Sequence, residues 1–541
     1  FERLHKDGLV YRGPRIINWC PKHQTGLSDL EVSYEERTDR LWYIKYPLLD
    51  NEKEFIIVAT TRPETMLGDT AVAVNPKDER YKKLVGKKVK LPLTNRIIPI
   101  IADSVVEKDF GTGAVKVTPA HDATDFDIGQ RHQLEIISII GQDGKMIAEA
   151  GAAYQGLKVE EARRKVVEDL KALGFLEKEE SYQHAVGVCY KCRSVIEPLV
   201  SEQWFLKIKP LAQEAVKAVK NGRVKFISKK YEKIFQHWMR NIRDWNISRQ
   251  IVWGIRIPVW YCQGGEIKGC FVISDNKPEK CPKCGATEFI EEMDTFDTWF
   301  SSGQWPFATL MASKESDFKK FYPTAVMETG WDILFFWVAR MIMLGLYTTG
   351  KEPFKEVYLH GLIRDKDKQK MSKSKGNVVD PLAVVDENGA DALRMALVFN
   401  SASDNDLPFG EDKVIAQKRF ANKIWNAARF CLSNWDKDFN PKKIKPKLSA
   451  DDKWILNEFK KTAAKVTKDL DSYKFHEAAQ AIYHFFWHKF CDKYIEIAKP
   501  RINKPVNQKD KQTAQLILWQ VLLSSLKLLH PFMPFITEAI Y

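Results

Sequence analysis

Short apolar runs, punctuated by Gly, Asn and Asp, fill residues 41–185. Phe55-Ile56-Ile57-Val58-Ala59, Ala71-Val72-Ala73-Val74, residues 97–101 and Ala114-Val115-Lys116-Val117 each read as a strand. Residues 159–173 have helical spacing and a charged outer face. This part of the chain is expected to be an inserted β-rich domain. Residues 193–350 return to an α/β pattern. Val357-Tyr358-Leu359-His360-Gly361-Leu362-Ile363 reads as a strand ending in Gly, and Asp380 before Pro381 can start a helix. From residue 401 the spacing is helical throughout. Val414, Ala421, Ile424, Ala428 and Cys431 share one face, as do Ile455, Phe459, Ala463, Val466 and Leu470. Two more runs cover 478–498 and 513–530, so four amphipathic helices are expected to form a bundle.

Two apolar stretches invite a membrane reading. Residues 333–347 are too few and carry Arg340; residues 516–536 carry Gln520, Lys527 and two prolines. Both are expected to be buried helices, so no membrane partner is expected. The 541 residues suggest about three or four domains. A hydrophobic share of 44% and a charged share of 29% suit ordinary globular cores. The net charge of +13 suits a polyanionic partner such as RNA, although a spread-out excess does not identify one. Nine cysteines include two C-x-x-C pairs, which point to metal in a reducing compartment more than to disulfides. The chain opens on Phe1-Glu2-Arg3-Leu4, with no initiating Met and no signal-peptide pattern, and is expected to be a fragment truncated at both ends.

Three groups of residues suggest chemistry. Lys370-Met371-Ser372-Lys373-Ser374-Lys375-Gly376 is a cationic, donor-rich loop. Lysines in such a loop can follow charge that moves along a polyphosphate, although most lysine clusters are solvated surface. Thr60-Thr61-Arg62-Pro63-Glu64-Thr65 and the run Gly111 to Asp122, followed by Asp125, place hydroxyls, cations and carboxylates after strand ends. They could hold a water against an ester; turn chemistry alone would also explain them. Cys20-Pro21-Lys22-His23 and Cys189-Tyr190-Lys191-Cys192 together offer three sulfurs and an imidazole, enough for a tetrahedral zinc, or they are two unrelated pairs. Cys281-Pro282-Lys283-Cys284-Gly285 is a stronger zinc knuckle. Cys262 and Cys270 are the nearby thiols that would complete it, at an unusually wide spacing; a degenerate nodule without metal is the alternative.

Lys370 to Ser374 spells KMSKS, and the chain here resembles the class I aminoacyl-tRNA synthetases. TTRPET and GTGAVKVTPAHD resemble the editing domain of their valine, isoleucine and leucine members; WNISRQ (245–250) and WGIRIP (253–258) also match. WDILFFW (331–337) and the segment around Cys189 look like the valine branch. The resemblance runs over the whole chain. It implies an α/β fold: the second half of a Rossmann-type catalytic domain, an inserted β-rich editing domain and a C-terminal helical anticodon-binding bundle. The expected limits are 1–40 for a connective segment with a zinc knuckle, 41–185 for the editing domain, 186–400 for the catalytic half and 401–541 for the bundle.

The resemblance also implies roles. Lys370 and Lys373 would stabilise adenylate formation, with Met371, Ser372 and Ser374 binding ATP beside them. Trp299, Asp332, Ile333 and Trp337 would wall a valine pocket. Thr61 and Arg62 would receive the tRNA end, and Lys116, Thr118, Asp122 and Asp125 would hydrolyse a misattached residue. ATP with magnesium, valine, the tRNA for valine and structural zinc at Cys20, His23, Cys189 and Cys192 and at Cys262, Cys270, Cys281 and Cys284 are expected, in a cytoplasmic monomer. The HIGH string, the family's other ATP signature, does not occur in these residues; the fragment alone is expected not to form adenylate. An isoleucine or leucine relative, or a tRNA-binding or deacylase module, stays open beside the valine reading.

Overall fold

The computed structural model describes residues 1–541 apart from 29–30, 372–375 and 400–404. Two compact units account for the chain: Phe1–Pro210 with Ile242–Ser302, and Leu211–Asn241 with Gly303–Tyr541.

In the first unit, Val10–Cys20 is the central member of a sheet ordered Trp245–Asn246, Glu197–Leu206, Val10–Cys20, Thr25–Leu27. The chain then leaves along Val32–Pro47 and returns along Leu176–Cys189, an antiparallel ribbon in register from Val32 opposite Cys189 to Tyr43 opposite Lys178, with a bulge before Ile44 meets Leu176. Beyond it stands a sheet ordered Lys88–Lys90, Ile97–Ala102, Ala71–Val74, Ala114–Val117. The strands expected from the apolar runs are all present, and Val159–Ala172 is the expected helix. Trp19, Ile44, Tyr46, Val58, Val72, Val166 and Leu170 share one buried cluster.

The expected limits at 40/41 and 185/186 fall inside the ribbon strands. The reason is visible along Val32–Pro47. Its first nine residues are at least partly exposed, whereas Leu41 to Ile44 are buried. The sequence therefore marks the change in burial and not the end of the strand. Likewise, the span expected as one catalytic half, 186–400, is shared between both units.

The second unit contains a parallel sheet ordered Lys225–Phe226, Phe354–His360, Thr324–Gly330. Its register ends with Gly330 opposite His360. A continuous helical stretch, Trp331–Thr349, follows the edge strand and is long and apolar enough to cross a membrane by length and composition. Half of its most apolar window is buried inside the protein, with Leu334, Val338 and Met341 in the core. The expected four-helix bundle is present as Glu411–Ser433, Ala450–Asp471, residues 475–503 and Gln508–Leu529. Phe420, Phe485, Phe486, Phe490 and Leu518 fill its centre. The third member is interrupted by a π-helical segment, Phe485–Ile495, which the apolar spacing did not reveal.

Candidate functional sites

Parallel strands leave their ligand-binding crevice beyond their carboxyl ends, where the chain turns into loops and helix starts. In the second unit these ends are Gly330 and His360. After Gly330 the chain enters the helical stretch that carries Asp332, Ile333 and Trp337, each half-buried. After His360 it forms a hairpin in which Asp365 N–H donates to Gln369 O at 3.0 Å and Arg364 bridges Lys370. The exposed Lys370 ammonium lies 3.7 Å from the Asp332 carboxylate. A lysine of the expected phosphate loop thus meets a residue of the expected amino-acid pocket. Asn377 Nδ2 closes the far side of the loop on Asp365 at 2.7 Å. Met371 packs in a small core with Leu393 and Phe409. Asp380 accepts from Leu382 N–H at 2.9 Å, starting Pro381–Asn388 as expected. Ser372, Lys373 and Ser374 lie outside the described residues. Trp299 belongs to the first unit, where its N–H donates to Asp297 at 3.0 Å.

The polar constellation of the insertion is one connected network. Lys116 is in the strand Ala114–Val117 and Thr118 directly follows it, and their side chains meet on one side. The Lys116 ammonium, 7% exposed, donates to Thr65 Oγ1 and Thr118 Oγ1, both at 2.7 Å. Thr118 Oγ1 donates to Asp69 at 2.5 Å, and Tyr46 OH donates to the other Asp69 oxygen at 2.7 Å. Burial pushes the fully enclosed Asp69 carboxyl up, against the pull of Lys116 and the two hydroxyls. Asp125 accepts from Thr118 N–H at 2.8 Å. Burial first, then the neighbouring Asp122 charge, push its carboxyl up to about 7. A carboxyl poised near neutrality in a buried pocket can exchange a proton with a reacting group.

The remaining expected residues have evident structural partners. Asp122 is exposed and caps the helix Ala123–His132, accepting from Thr124 N–H at 2.8 Å and Asp125 N–H at 3.1 Å. The Arg62 guanidinium is held by Glu64 at 3.1 Å and by Glu197. Arg163 grips Glu64 bidentately at 2.8 and 2.9 Å. Thr61 is half-buried next to them. Thr65 stands in TTRPET without an expected role, and Asp69, four residues on, and Tyr46 lie outside the expected site; nothing local to Tyr46 signals it. His121 was quoted in its motif without a role. Its Nε2 accepts from Ile139 N–H at 2.9 Å, so Nδ1 carries the proton and donates to Pro198 O at 3.2 Å. Burial and the Arg62 charge lower this histidine to about 3, which keeps the ring neutral.

Each expected cysteine set forms a cluster. The ligand atoms of Cys20, His23, Cys189 and Cys192 lie within 4.8 Å of one another, and so do those of Cys262, Cys270, Cys281 and Cys284. Sulfurs about 2.3 Å from a tetrahedral zinc stand about 3.8 Å apart, and a sulfur and a nitrogen about 3.5 Å. Cys20 is 3.6 Å from Cys192 and 3.5 Å from His23 Nδ1; Cys270 is 3.7 Å from Cys281. Both donor sets fit a tetrahedral ion. The wide spacing of Cys262 and Cys270 is absorbed by a hairpin, in which Cys262 N–H donates to Cys270 O at 2.9 Å.

Known proteins supply the context for these sites. Residues 1–409 match the family described as tRNA synthetases class I (I, L, M and V), and residues 452–541 match the anticodon-binding domain of tRNA ligase. The chain is 49% identical to a valine–tRNA ligase of Geobacter sulfurreducens, over 100% of this chain and 61% of that protein. It is 52% identical to one of Symbiobacterium thermophilum, over 100% and 59%. It is 51% identical to one of Thermotoga maritima, over 100% and 61%. The chain thus spans about six tenths of the length of these relatives. Among solved structures, a Mycobacterium tuberculosis methionyl-tRNA synthetase in complex with methionyl-adenylate shares the fold at TM-score 0.52 and 18% identity, over 66% of this chain and 65% of that one. With the family matched across some three quarters of its length and an anticodon-binding domain behind it, this chain belongs to the class I tRNA synthetases of the isoleucine, leucine, methionine and valine group.

Proposed function

We propose that the protein containing this chain joins valine to its tRNA through a valyl-adenylate and hydrolyses threonine misattached to that tRNA. The observation that carries the valine assignment is near-half identity over the whole chain to proteins named valine–tRNA ligase. In the first step the valine carboxylate attacks the α-phosphorus of ATP, which enters as its magnesium complex, and pyrophosphate leaves. Lys370, at the ends of the parallel strands, and Lys373 neutralise charge on the phosphates as it shifts, and Met371, Ser372 and Ser374 complete the ATP-binding loop. Asp332, Ile333 and Trp337 wall the valine pocket. An apolar pocket rejects threonine poorly, because the two side chains differ by a hydroxyl for a methyl, so a second site that reads the hydroxyl is needed.

That second site is the network of the insertion. Asp125 accepts the threonine hydroxyl, Lys116 and Thr118 orient the ester and the water, and Asp122 fixes Asp125 through the helix start. Thr61 and Arg62 hold the tRNA end. The two cysteine-rich clusters hold structural zinc, which ties Cys20 and His23 to the end of the ribbon at Cys189 and Cys192 and closes the Cys262 hairpin.

The test uses the full-length protein that contains these residues. Valine-dependent ATP–pyrophosphate exchange should exceed exchange with isoleucine or leucine. Lys370→Ala should lower its kcat far more than it raises the valine KM, since the charge is wanted mainly in the transition state. Preference for isoleucine or leucine would refute the valine reading, and deacylation without any exchange would leave a deacylase.

A further inference from the structure

Asp406 stands at a crossing of two chain segments in the second unit. Its Oδ1 accepts from the Trp331 indole N–H and from Leu362 N–H, each at 2.8 Å. Its Oδ2 accepts from Arg364 Nε. Trp331 opens the helical stretch with Asp332, Ile333 and Trp337. Leu362 and Arg364 open the hairpin that ends at Lys370.

The crossing is rigid for a visible reason. Ile363 and Arg364 pair in parallel with Leu407 and Pro408. Leu407 N–H donates to Leu362 O and Phe409 N–H to Arg364 O, both at 2.8 Å. The segments touch so closely that a Cβ on Gly361 would lie 1.9 Å from Asn405 O. Asp406 is therefore fixed by main chain on both sides of its carboxylate. Burial works against its ionised form, but the Trp331, Leu362 and Arg364 donors outweigh it and hold the carboxyl below the usual range.

We infer that Asp406 is a positioning residue for adenylate formation, with Oδ1 setting the amino-acid side through Trp331 and Oδ2 setting the lysine hairpin through Arg364. This rests on the proposed valine activation. The closeness of Lys370 to Asp332, 3.7 Å, shows the two sides already in register. Asp406 touches neither substrate in this account. Its side-chain donors differ, Trp331 on Oδ1 and Arg364 on Oδ2, while Leu362 N–H anchors Oδ1 to the main chain, so side-chain variants separate the two halves of its role.

Asp406→Asn keeps an acceptor for Trp331 and Leu362 and loses the one for Arg364. Losing one charge-assisted hydrogen bond to the hairpin should lower kcat of valine-dependent exchange about 10- to 100-fold and leave the valine KM within about threefold. Arg364→Met should reproduce that loss, and the double variant should be no worse than either single one, because both remove the same pair. Trp331→Phe, which removes the donor on the other side, should instead raise the valine KM and spare kcat. The variants are made in the full-length protein, with melting temperature and threonyl-tRNA deacylation as folding controls. If Asp406→Asn fails to fold, Arg364→Met and Trp331→Phe carry the test, since both leave Asp406 in place. Equal movement of kcat and KM in all of them, or additive losses in the double variant, would overturn the positioning role. A parent that does not exchange with valine would instead overturn the activity on which the inference rests.

Discussion

Replacing Asp125 by asparagine should remove editing and stabilise the protein at the same time. Asp125 is 6% exposed and ionises only near pH 7. In an unfolded chain an aspartate ionises near pH 4. The folded pKa of this carboxylate is raised, so the fold disfavours its charge. Stability is unaffected below about pH 4, falls as pH rises towards about 7, and levels off above. At about 1.4 kcal/mol per tenfold change, ~3 decades of proton affinity make the charge cost about 4 kcal/mol at pH 8. Asparagine keeps an oxygen for the Thr118 N–H, 2.8 Å away in the parent, and never ionises. Urea unfolding of parent and Asp125→Asn between pH 5 and 9 is the assay. The variant should gain stability over the parent as pH rises, by up to about 4 kcal/mol, and release of labelled threonine from charged tRNA should be lost. In the parent that release should increase through pH 7, as the acceptor becomes ionised. A variant no more stable than the parent at pH 8, with unchanged pH dependence, would refute the buried-charge argument. A variant that still clears threonine at the parent rate would leave Asp125 a turn residue.

Two further outcomes are expected. Reduced, folded protein should contain two zinc ions per chain; Cys281→Ser should lose one and Cys189→Ser the other, as read by metal analysis, and no zinc at all would refute both sites. In the bundle, Arg501 holds the fully buried Asp452 at 2.7 Å, and Tyr494 OH donates to the same carboxylate at 2.5 Å. Arg501→Met should cost about 3–5 kcal/mol by leaving that charge unpaired. Despite burial, the Arg501 and Tyr494 hydrogen bonds lower the Asp452 pKa. Its share of stability is therefore present above the ordinary carboxylate range and lost as the solution is acidified below it. Calorimetry finding no loss in Arg501→Met would refute the pairing argument.

What the sequence determined by itself is local. Strand and helix identity follows from the spacing of apolar residues, so 71–74, 114–117 and the four bundle helices could be read directly. So could the C-x-x-C knuckles and the Asp380 cap, whose contacts lie within a few residues. Lys116, in the strand, and Thr118, directly after it, meet because alternation along an extended chain brings residues two apart to one side. The tertiary structure decided whatever depends on distant segments meeting. Tyr46 reaches Asp69 from a ribbon strand, and Asp406 joins Trp331 to Arg364 across 75 and 42 residues. Cys262 and Cys270 become a ligand pair only because a hairpin folds their spacing away. The same rule explains the domain limits. The sequence records where burial changes along Val32–Pro47, but a strand ends where its partners end, and those are Leu176–Cys189 along most of its length and Phe55–Thr60 at its close. Periodicity is written into each segment by its own solvent exposure; partnership is written into two segments at once, and only the folded chain brings both together.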